Sequence, residues 1–198
     1  MQCIRQFTSC PNRRSAALHF TPIRPAYKLR LTAALCPKGE FVSLTWNDLT
    51  VSFEHLERSK LVEDWQWLIG SALPILVTSV GDAFLQTETG EVFWLITGSG
   101  EFEKVAESYE EFQSKLKENE LVSEWFLVPI VAQLKVQGLS LENGKLYGFK
   151  QLPVLGGKYE PENFDLTDIE VHFAMSGQMN LHIKDLPDGT SVNFTVTE

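Results

Sequence analysis

Hydrophobic residues in the first half of the folded region recur at helical spacing. Two runs place apolar side chains at the i, i+4 and i+7 positions of one helix face. The first run is Leu49, Phe53 and Leu56, and the second is Leu61, Trp65 and Leu68, followed by Gly70. Because glycine commonly ends a helix, the pattern predicts two short helices, the second of which stops at Gly70.

Strand-like segments follow, rich in β-branched and aromatic residues. They cover residues 75–80, 83–86, 91–97 and 101–105. The turn sequences between them are Gly81-Asp82, Thr89-Gly90 and Gly98-Ser99-Gly100. Connections this short join only antiparallel neighbours, so the middle of the chain is predicted to be an antiparallel β-meander.

Helical signals return after residue 107. Ser108 and Glu111 have the spacing of a capping box, which predicts a helix that runs to about Asn119. Residues 121–137 are mostly apolar but contain Pro129. Because proline has no backbone N–H to donate, it is expected to open a second helix, with a break near Leu127.

Residues 168–184 are compatible with two structures. Ile169, Val171, Phe173 and Met175 alternate as they would in a strand, whereas Thr167 and Glu170 have capping-box spacing and favour a helix. Apolar and polar residues alternate over residues 190–196, as in a strand with one solvent-exposed face. Together these elements predict an α+β fold, a single compact domain in which an antiparallel β-meander has helices packed on one face.

Charge divides the chain unevenly. The protein has 198 residues, with 17 Lys+Arg and 26 Asp+Glu, a net charge of -9. Residues 1–40 hold seven of the basic groups and one acidic group, which is +6, so the other 158 residues have 10 basic and 25 acidic groups, which is -15. A domain this acidic repels nucleic acid and anionic lipid, and the expected partner is therefore a basic protein. The longest apolar runs are also too short for a membrane helix.

The basic N-terminal segment differs from the rest in composition. It is rich in Arg and contains four prolines, and it holds all three cysteines. One interpretation is an organelle transit peptide or a basic arm, and the other is a mis-called translation start. We predict that residues 1–41 are an unstructured basic extension. Residues 42–198 would form the folded domain, with halves at 42–119 and 120–198, and its lack of cysteine suits a reducing cytoplasm.

Motifs for catalysis are not found. Gly156-Gly157-Lys158 fails as a phosphate loop, because Leu152 and Tyr159 stand where that motif needs glycine and Ser or Thr. The glycine pair is instead expected to let two backbone segments approach each other. His172 and His182 do not share a helix face, and no zinc-ligand spacing is present. The sequence therefore predicts no catalytic residue, no metal and no cofactor.

Acidic residues in or beside predicted loops are the candidate partner-binding residues. With Trp67, the tryptophan expected to be partly exposed, they are Glu101, Glu103, Glu107, Glu110, Glu111, Glu160, Glu162, Asp165 and Asp168. The first five could alternatively include an acid/base pair of an enzyme. Trp65, Trp94 and Trp125 are predicted to be core residues.

Three stretches resemble a bacterial immunity family of type VI secretion systems. The stretches are Glu63-Asp64-Trp65-Gln66-Trp67-Leu68-Ile69-Gly70, Gly81-Asp82-Ala83-Phe84-Leu85 with Gly90-Glu91-Val92-Phe93-Trp94-Leu95, and Tyr147-Gly148-Phe149-Lys150 through Leu155-Gly156-Gly157 to Glu162-Asn163. The resemblance covers about residues 56–195. It corresponds to the C-terminal domain of immunity proteins against DNase toxins, with a GAD-like N-terminal half.

The resemblance implies a stoichiometric role, in which the protein binds a cognate toxin in the cytoplasm and blocks it without catalysis. A nuclease toxin must be cationic where it holds DNA, so an acidic surface is a fitting counterpart. Complementary charge chiefly raises the rate of association. The alternatives are an uncharacterised enzyme and a housekeeping binding module that uses the acidic surface.

Overall fold

A computed structural model describes residues 31–35, 41–187 and 189–192. The strands are β1 (Leu31–Leu35), β2 (Phe41–Leu44), β3 (Thr50–Val51), β4 (Leu73–Thr78), β5 (Ala83–Gln86), β6 (Val92–Ile96), β7 (Glu101–Ala106), β8 (Lys145–Phe149) and β9 (Phe164–Asp168). The helices are α1 (Trp46–Leu49), α2 (Arg58–Leu61), α3 (Gln66–Ile69), α4 (Tyr109–Lys115), α5 (Asn119–Trp125), α6 (Val128–Val136) and α7 (Ile169–Ile183). Short 3-10 segments occupy 63–65, 153–155 and 161–163.

The central sheet has five strands in the order β3-β4-β5-β6-β7. Every neighbouring pair is antiparallel, and the strands follow one another in sequence order. Two separate hairpin-like pairs, β1 with β2 and β8 with β9, are also antiparallel. The predicted α+β fold with an antiparallel meander is therefore confirmed.

Both faces of the five-stranded sheet are covered. On β5, Phe84 packs in one cluster with Phe112 of α4 and residues of α5 and α6. Its neighbours Ala83 and Leu85 belong to a second cluster, with residues of α2, α3 and α7. Because successive side chains of a strand point to opposite faces, the two clusters lie on opposite sides of the sheet. The sequence predicted helices on one face, whereas the structure has them on both.

The helix predicted around residues 49–56 is the main local error. The chain forms α1, then switches to β3, where Thr50 pairs with Thr78 and Val51 pairs with Val77. Two consecutive β-branched residues favour the extended conformation, and a strand partner was available. Phe53 still packs against the second cluster, although from a loop. The next predicted helix is divided into α2, a 3-10 turn and α3, and it ends at Gly70 with φ of +60° as expected.

Signals in the second half located the helices well. Ser108 caps α4, and its hydroxyl accepts a hydrogen bond from the Glu111 amide at 3.2 Å. The predicted break falls at Leu127, which adopts the left-handed conformation with φ of 45°, and Pro129 is the second residue of α6. Residues 169–183 form α7, which settles the choice between helix and strand in favour of the helix.

Two terminal predictions fall partly outside the described residues. Within the predicted extension, residues 31–35 form β1 and pair with β2, so this part is not unstructured. Residues 1–30 and 36–40 lie outside the described part, and the boundary at residue 42 stays a prediction. Of the strand predicted at 190–196, residues 190–192 are not in a strand, and 193–196 are not described.

Candidate partner-binding groove

The helix α7 is the element on which the three family-like stretches converge. Trp65 of the first stretch is fully buried, and its indole nitrogen donates to the Phe173 carbonyl at 3.0 Å. Gly177 lies against the same stretch, because a Cβ there would come within 2.8 Å of the Asp64 carbonyl oxygen. Gln178 adds a side-chain hydrogen bond to the Asp64 carboxylate at 3.1 Å. Close backbone approach thus fixes α7 along the 63–65 segment.

Glycines of the other two stretches hold the His172 ring of α7. A Cβ on Gly81 would lie 2.2 Å from His172 Nε2, and a Cβ on Gly148 would lie 3.2 Å from His172 Nδ1 and 2.7 Å from Thr167 Oγ1. Both glycines are therefore required where the imidazole is inserted between β8 and the turn after β4. All three stretches therefore contact α7 and position it against the sheet.

A buried polar network joins α7 to the sheet. His172 Nε2 lies 3.0 Å from Thr97 Oγ1. Asp82 Oδ1 accepts hydrogen bonds from the Thr97 amide at 2.8 Å and from its hydroxyl at 3.2 Å. Asn180 donates through Nδ2 to the Thr97 carbonyl at 3.1 Å and to the Ser176 carbonyl at 2.9 Å. Thr97 is thus the common partner of three buried side chains.

Burial shifts the pKa values of the two titratable members in opposite directions. Desolvation raises the pKa of Asp82 to about 7, although the Thr97 hydrogen bonds favour its charged form. Desolvation lowers the pKa of His172 to about 4, partly opposed by a hydrogen bond to the Gly81 carbonyl. Both shifts favour neutral groups, as expected for titratable side chains removed from water. At neutral pH the imidazole is therefore uncharged.

Between α7 and residues 149–156 lies an open groove of about 1150 Å³. His172 and Asn180 belong to its lining, and Trp67 of α3 contributes as well. Much of its apolar lining is accessible, since Met175 is 54% exposed and Val171 is 46% exposed. Val154 and Leu186 are also exposed large hydrophobic residues of the groove. Contiguous exposed apolar surface of this kind is typical of an interaction site.

The side chain of Asn163 organises the loop that forms the opposite wall. Its Oδ1 accepts from the Gln151 amide at 3.0 Å, and its Nδ2 donates to the carbonyls of Gln151 and Lys158, each at 2.9 Å. Gly157 completes the arrangement, because a Cβ there would lie 1.9 Å from the Gln151 carbonyl oxygen. The prediction that this glycine allows close backbone approach is confirmed.

We expect Asn163→Asp to loosen this wall without unfolding the domain. The carboxylate keeps the shape of the amide but cannot donate, so it would face two carbonyl oxygens at hydrogen-bond distance, at a cost of about 2 kcal/mol. Amide hydrogen exchange of Gly157, whose N–H donates to the Leu152 carbonyl at 3.0 Å, should become at least tenfold faster. Exchange of buried β5 amides is the control, and equal acceleration there would show general destabilisation instead.

The first group of predicted acidic residues consists of Glu101, Glu103, Glu107, Glu110 and Glu111, and it is partly neutralised by lysines. Lys104 forms ion pairs with Glu91 at 3.2 Å and with Glu107 at 2.8 Å. Lys115 pairs with Glu111 at 2.8 Å, and its hydrogen bond lowers the pKa of that carboxyl. No ion pair involves the side chains of three members within the described residues: Glu101, Glu103 and Glu110.

Glu101 is the member of this group that approaches the second group. It follows the turn whose Gly98 carbonyl accepts from the Val154 amide at 3.1 Å. The charge of Glu101 also acts on Tyr159. Partial burial is the main cause that raises the pKa of Tyr159 to about 12, and the charges of Asp82 and Glu101 add to it. The described contacts do not connect the other four glutamates of the first group with the groove.

The second group of predicted acidic residues is Glu160, Glu162, Asp165 and Asp168. These residues lie near the loop held by Asn163 and near the start of α7. Glu160 lies 3.6 Å from the Lys158 ammonium, and Glu162 and Asp165 are exposed. Asp168 is the N-cap residue of α7, although its side chain makes no capping hydrogen bond. Trp67 is half-buried as predicted, stacks on Trp65 with ring centroids 6.0 Å apart, and lines the groove. Whether these residues bind a partner stays a prediction.

The sequence did contain a signal for the groove. The alternation of Ile169, Val171, Phe173 and Met175 that suggested a strand belongs to a helix with apolar residues on two sides. Ile169 and Phe173 face the second core cluster, while Val171 and Met175 are exposed along the groove. An apolar helix face that the sheet does not cover was thus the missed indication of a binding surface.

Comparison with known proteins supports the family resemblance. Residues 106–180 match the family model described as T6SS immunity protein Tdi1, C-terminal. The matched segment runs from the last residue of β7 into α7 and includes Asn163, His172 and Met175. The match confirms the resemblance to a type VI secretion immunity family, and it supports an immunity role for this protein.

A search of curated proteins gives no match. Across the described residues, no helix has the length and hydrophobicity needed to span a bilayer.

Proposed function

We propose that the protein neutralises a cognate toxin in the cytoplasm by stoichiometric occlusion, and that this toxin is a basic nuclease. The observation that carries the proposal is the match of residues 106–180 to a type VI secretion immunity family. The partner's basic character is inferred from charge, because residues 41–198 carry 25 acidic and 10 basic groups. A nuclease that holds DNA phosphates needs a cationic groove, which an acidic protein can occupy.

The geometry supports binding rather than catalysis. The floor of the groove is formed by His172 and Asn180, which are anchored to Thr97, the residue after β6. The predicted glutamates lie outside it, and three of them, Glu107, Glu111 and Glu160, are paired with lysines. An enzyme that used these glutamates would need two of them to face one pocket. A rigid, preorganised surface with exposed apolar residues is what a tight protein inhibitor requires.

Charge reversal tests the mechanism. We expect the triple substitution of Glu160, Glu162 and Asp165 to lysine to slow association with the cognate toxin about tenfold at low salt, with less effect at high salt. The triple substitution of Glu103, Glu107 and Glu110 to lysine tests the first group in the same way. Stopped-flow association rates at several salt concentrations are the measurement, followed by protection of cells against the toxin.

A matched control separates local from overall charge. Reversing Glu118, Glu120 and Glu124 around α5 changes the net charge by the same +6 at exposed positions that belong to neither group. If this control slows association as much as the other variants, only the overall field matters. If both test variants associate and protect like the parent at every salt concentration, charge complementarity is not the mechanism.

A further inference from the structure

The two outer strands of the five-stranded sheet differ in length. β3 has two residues, Thr50 and Val51, whereas β7 has six, Glu101–Ala106. Each of them has one neighbouring strand among the described residues. Alternate residues of an outer strand direct their N–H and C=O groups away from the sheet. β7 therefore presents a longer row of backbone donors and acceptors than β3 does, and such a row is a template on which a further strand can pair.

The first half of β7 is the open part of this edge. At the other end, the ammonium group of Lys115 in α4 donates to the Val105 carbonyl at 2.7 Å, so α4 covers that end. Within the described residues, the backbone of 101–103 makes no backbone–backbone hydrogen bond outside its pairing with β6. Glu101 and Glu103 are both exposed, so solvent and a partner can reach this half.

The protections that outer strands usually have are weak in the open half of β7. Proteins commonly protect such a strand with a lysine, a proline or a bulge. β7 contains no proline, and its lysine, Lys104, is engaged by Glu91 at 3.2 Å and by Glu107 at 2.8 Å. The irregularity in the register with β6 falls at the covered end. The open half therefore carries the negative charges of Glu101 and Glu103, neither of which forms an ion pair within the described residues.

We propose that the open half of β7, residues 101–103, is the place where an extended basic segment of the toxin pairs as an additional strand. The inference rests on the proposed function and adds to it the place and the mode of contact. Backbone hydrogen bonds supply the affinity, and Lys or Arg side chains beside Glu101 and Glu103 supply the specificity. The edge adjoins the groove, because Ser99 and Gly100 of the groove lining directly precede β7.

A second copy of this chain is the competing occupant of the edge. Symmetric pairing of two β7 strands would bring the glutamates of both copies together, and like charges across a strand pair are destabilising. A basic segment has the opposite charge, so charge complementarity favours the toxin. Sedimentation of the parent protein alone tests this choice, since a dimer in which the amides of 101–103 are protected from exchange would overturn the proposal.

Hydrogen exchange in the complex tests the strand pairing. Amides of 101–103 that point away from the sheet exchange rapidly in the free protein, and we expect them to slow at least tenfold when the cognate toxin binds. The amides of β3, at the opposite edge of the same sheet, are the control and should change less than twofold. If the toxin binds and no amide of 101–103 slows, the proposal is wrong and the proposed function stands. Equal slowing at both edges would reflect general stabilisation and would also overturn the proposal.

A pair of charge reversals on the same sheet tests the recognition of charge. Glu103→Lys changes the open half of β7, whereas Glu88→Lys makes the same change in the exposed turn between β5 and β6. We expect Glu103→Lys to weaken toxin affinity at least tenfold and Glu88→Lys to weaken it less than twofold. Urea unfolding shows whether both variants are folded. Equal affinities of the two folded variants would overturn the proposal.

Short peptides test the chemistry of the edge without the toxin. The probe is the acetylated and amidated peptide Lys-Val-Lys-Val-Lys. One comparison peptide has glutamate in place of lysine, and the other keeps the lysines but is methylated at every backbone nitrogen. In an NMR titration, which detects millimolar binding, we expect the probe alone to shift the amide resonances of 101–103 saturably. Equal responses to the three peptides, or a response to the probe only outside β7, would overturn the proposal. If the probe binds at β7 and the parent protein does not bind the toxin, the proposed function fails while the pairing chemistry of the edge stands.

Discussion

Gly81→Ala is expected to destabilise the protein by about 3 kcal/mol or more, because backbone strain and a steric clash add at this position. Gly81 has φ of +94°, which L-residues rarely adopt. The added Cβ would also lie 2.2 Å from His172 Nε2, and the imidazole cannot retreat because it is held by Thr97 and packed against β8. Urea unfolding followed by tryptophan fluorescence measures the loss.

Gly90→Ala is a matched control for the backbone cost. Gly90 has φ of +97°, almost the same as Gly81, but a Cβ there meets nothing within 4 Å. We expect a loss of about 1 kcal/mol from backbone strain alone. The difference between the two variants isolates the contact with His172, and equal losses would contradict the close approach.

A double-mutant cycle gives a further check on the same contact. In a His172→Ala background the ring is absent, so Gly81→Ala should cost no more than Gly90→Ala does in the parent. If the cost of Gly81→Ala were unchanged in that background, the strain would lie in the backbone and not in the inserted imidazole.

Local signals in the sequence located most of the elements. Gly81-Asp82 and Gly98-Ser99-Gly100 mark the turns of the meander, and Ser108 marks the start of α4, because turn and cap preferences act over a few residues. The segment at 50–51 was missed because its strand conformation depends on pairing with β4, far along the sequence. The same long-range packing decides that helices cover both faces of the sheet.

The candidate site was less predictable than the fold. Glu107 and Glu111 look alike in sequence to Glu103, but Lys104 and Lys115 pair with the first two. Gly177 lets α7 lie against Asp64, and in this position Val171 and Met175 line the groove and stay exposed. Nothing local identifies His172 as a buried neutral residue, since its environment comes from Gly81, Thr97 and β8.

Asp82 and His172 are expected to have opposite effects on stability as the pH changes. The pKa of Asp82 is raised to about 7 in the folded state, so the stability it contributes is present below its ordinary value of 3.8 and is lost as the pH rises through 7. The pKa of His172 is lowered to about 4, so the stability it contributes is present above its ordinary value of 6.5 and is lost as the pH falls to 4. Between pH 4 and 6.5 the folded pair therefore binds one proton, and the unfolded pair also binds one. The pH dependences of the two groups therefore cancel in this range, whichever of them carries the proton in the folded state.

Replacing either Asp82 or His172 should make the effect of the other group on the pH dependence of stability measurable. Asp82→Asn keeps the acceptor oxygen for Thr97 and leaves His172 alone, so stability should increase from pH 4 to 6.5, relative to the parent, by on the order of 3 kcal/mol. His172→Gln keeps an N–H for Gly81 and leaves Asp82 alone, so stability relative to the parent should decrease from pH 4 to 6.5 by on the order of 3 kcal/mol. Urea unfolding at half-unit pH steps measures both slopes, and referring each variant to the parent removes the contribution of the other carboxylates. Slopes of the same sign in the two variants, or no slope in either, would show that Asp82 and His172 do not form the oppositely shifted buried pair on which α7 is anchored.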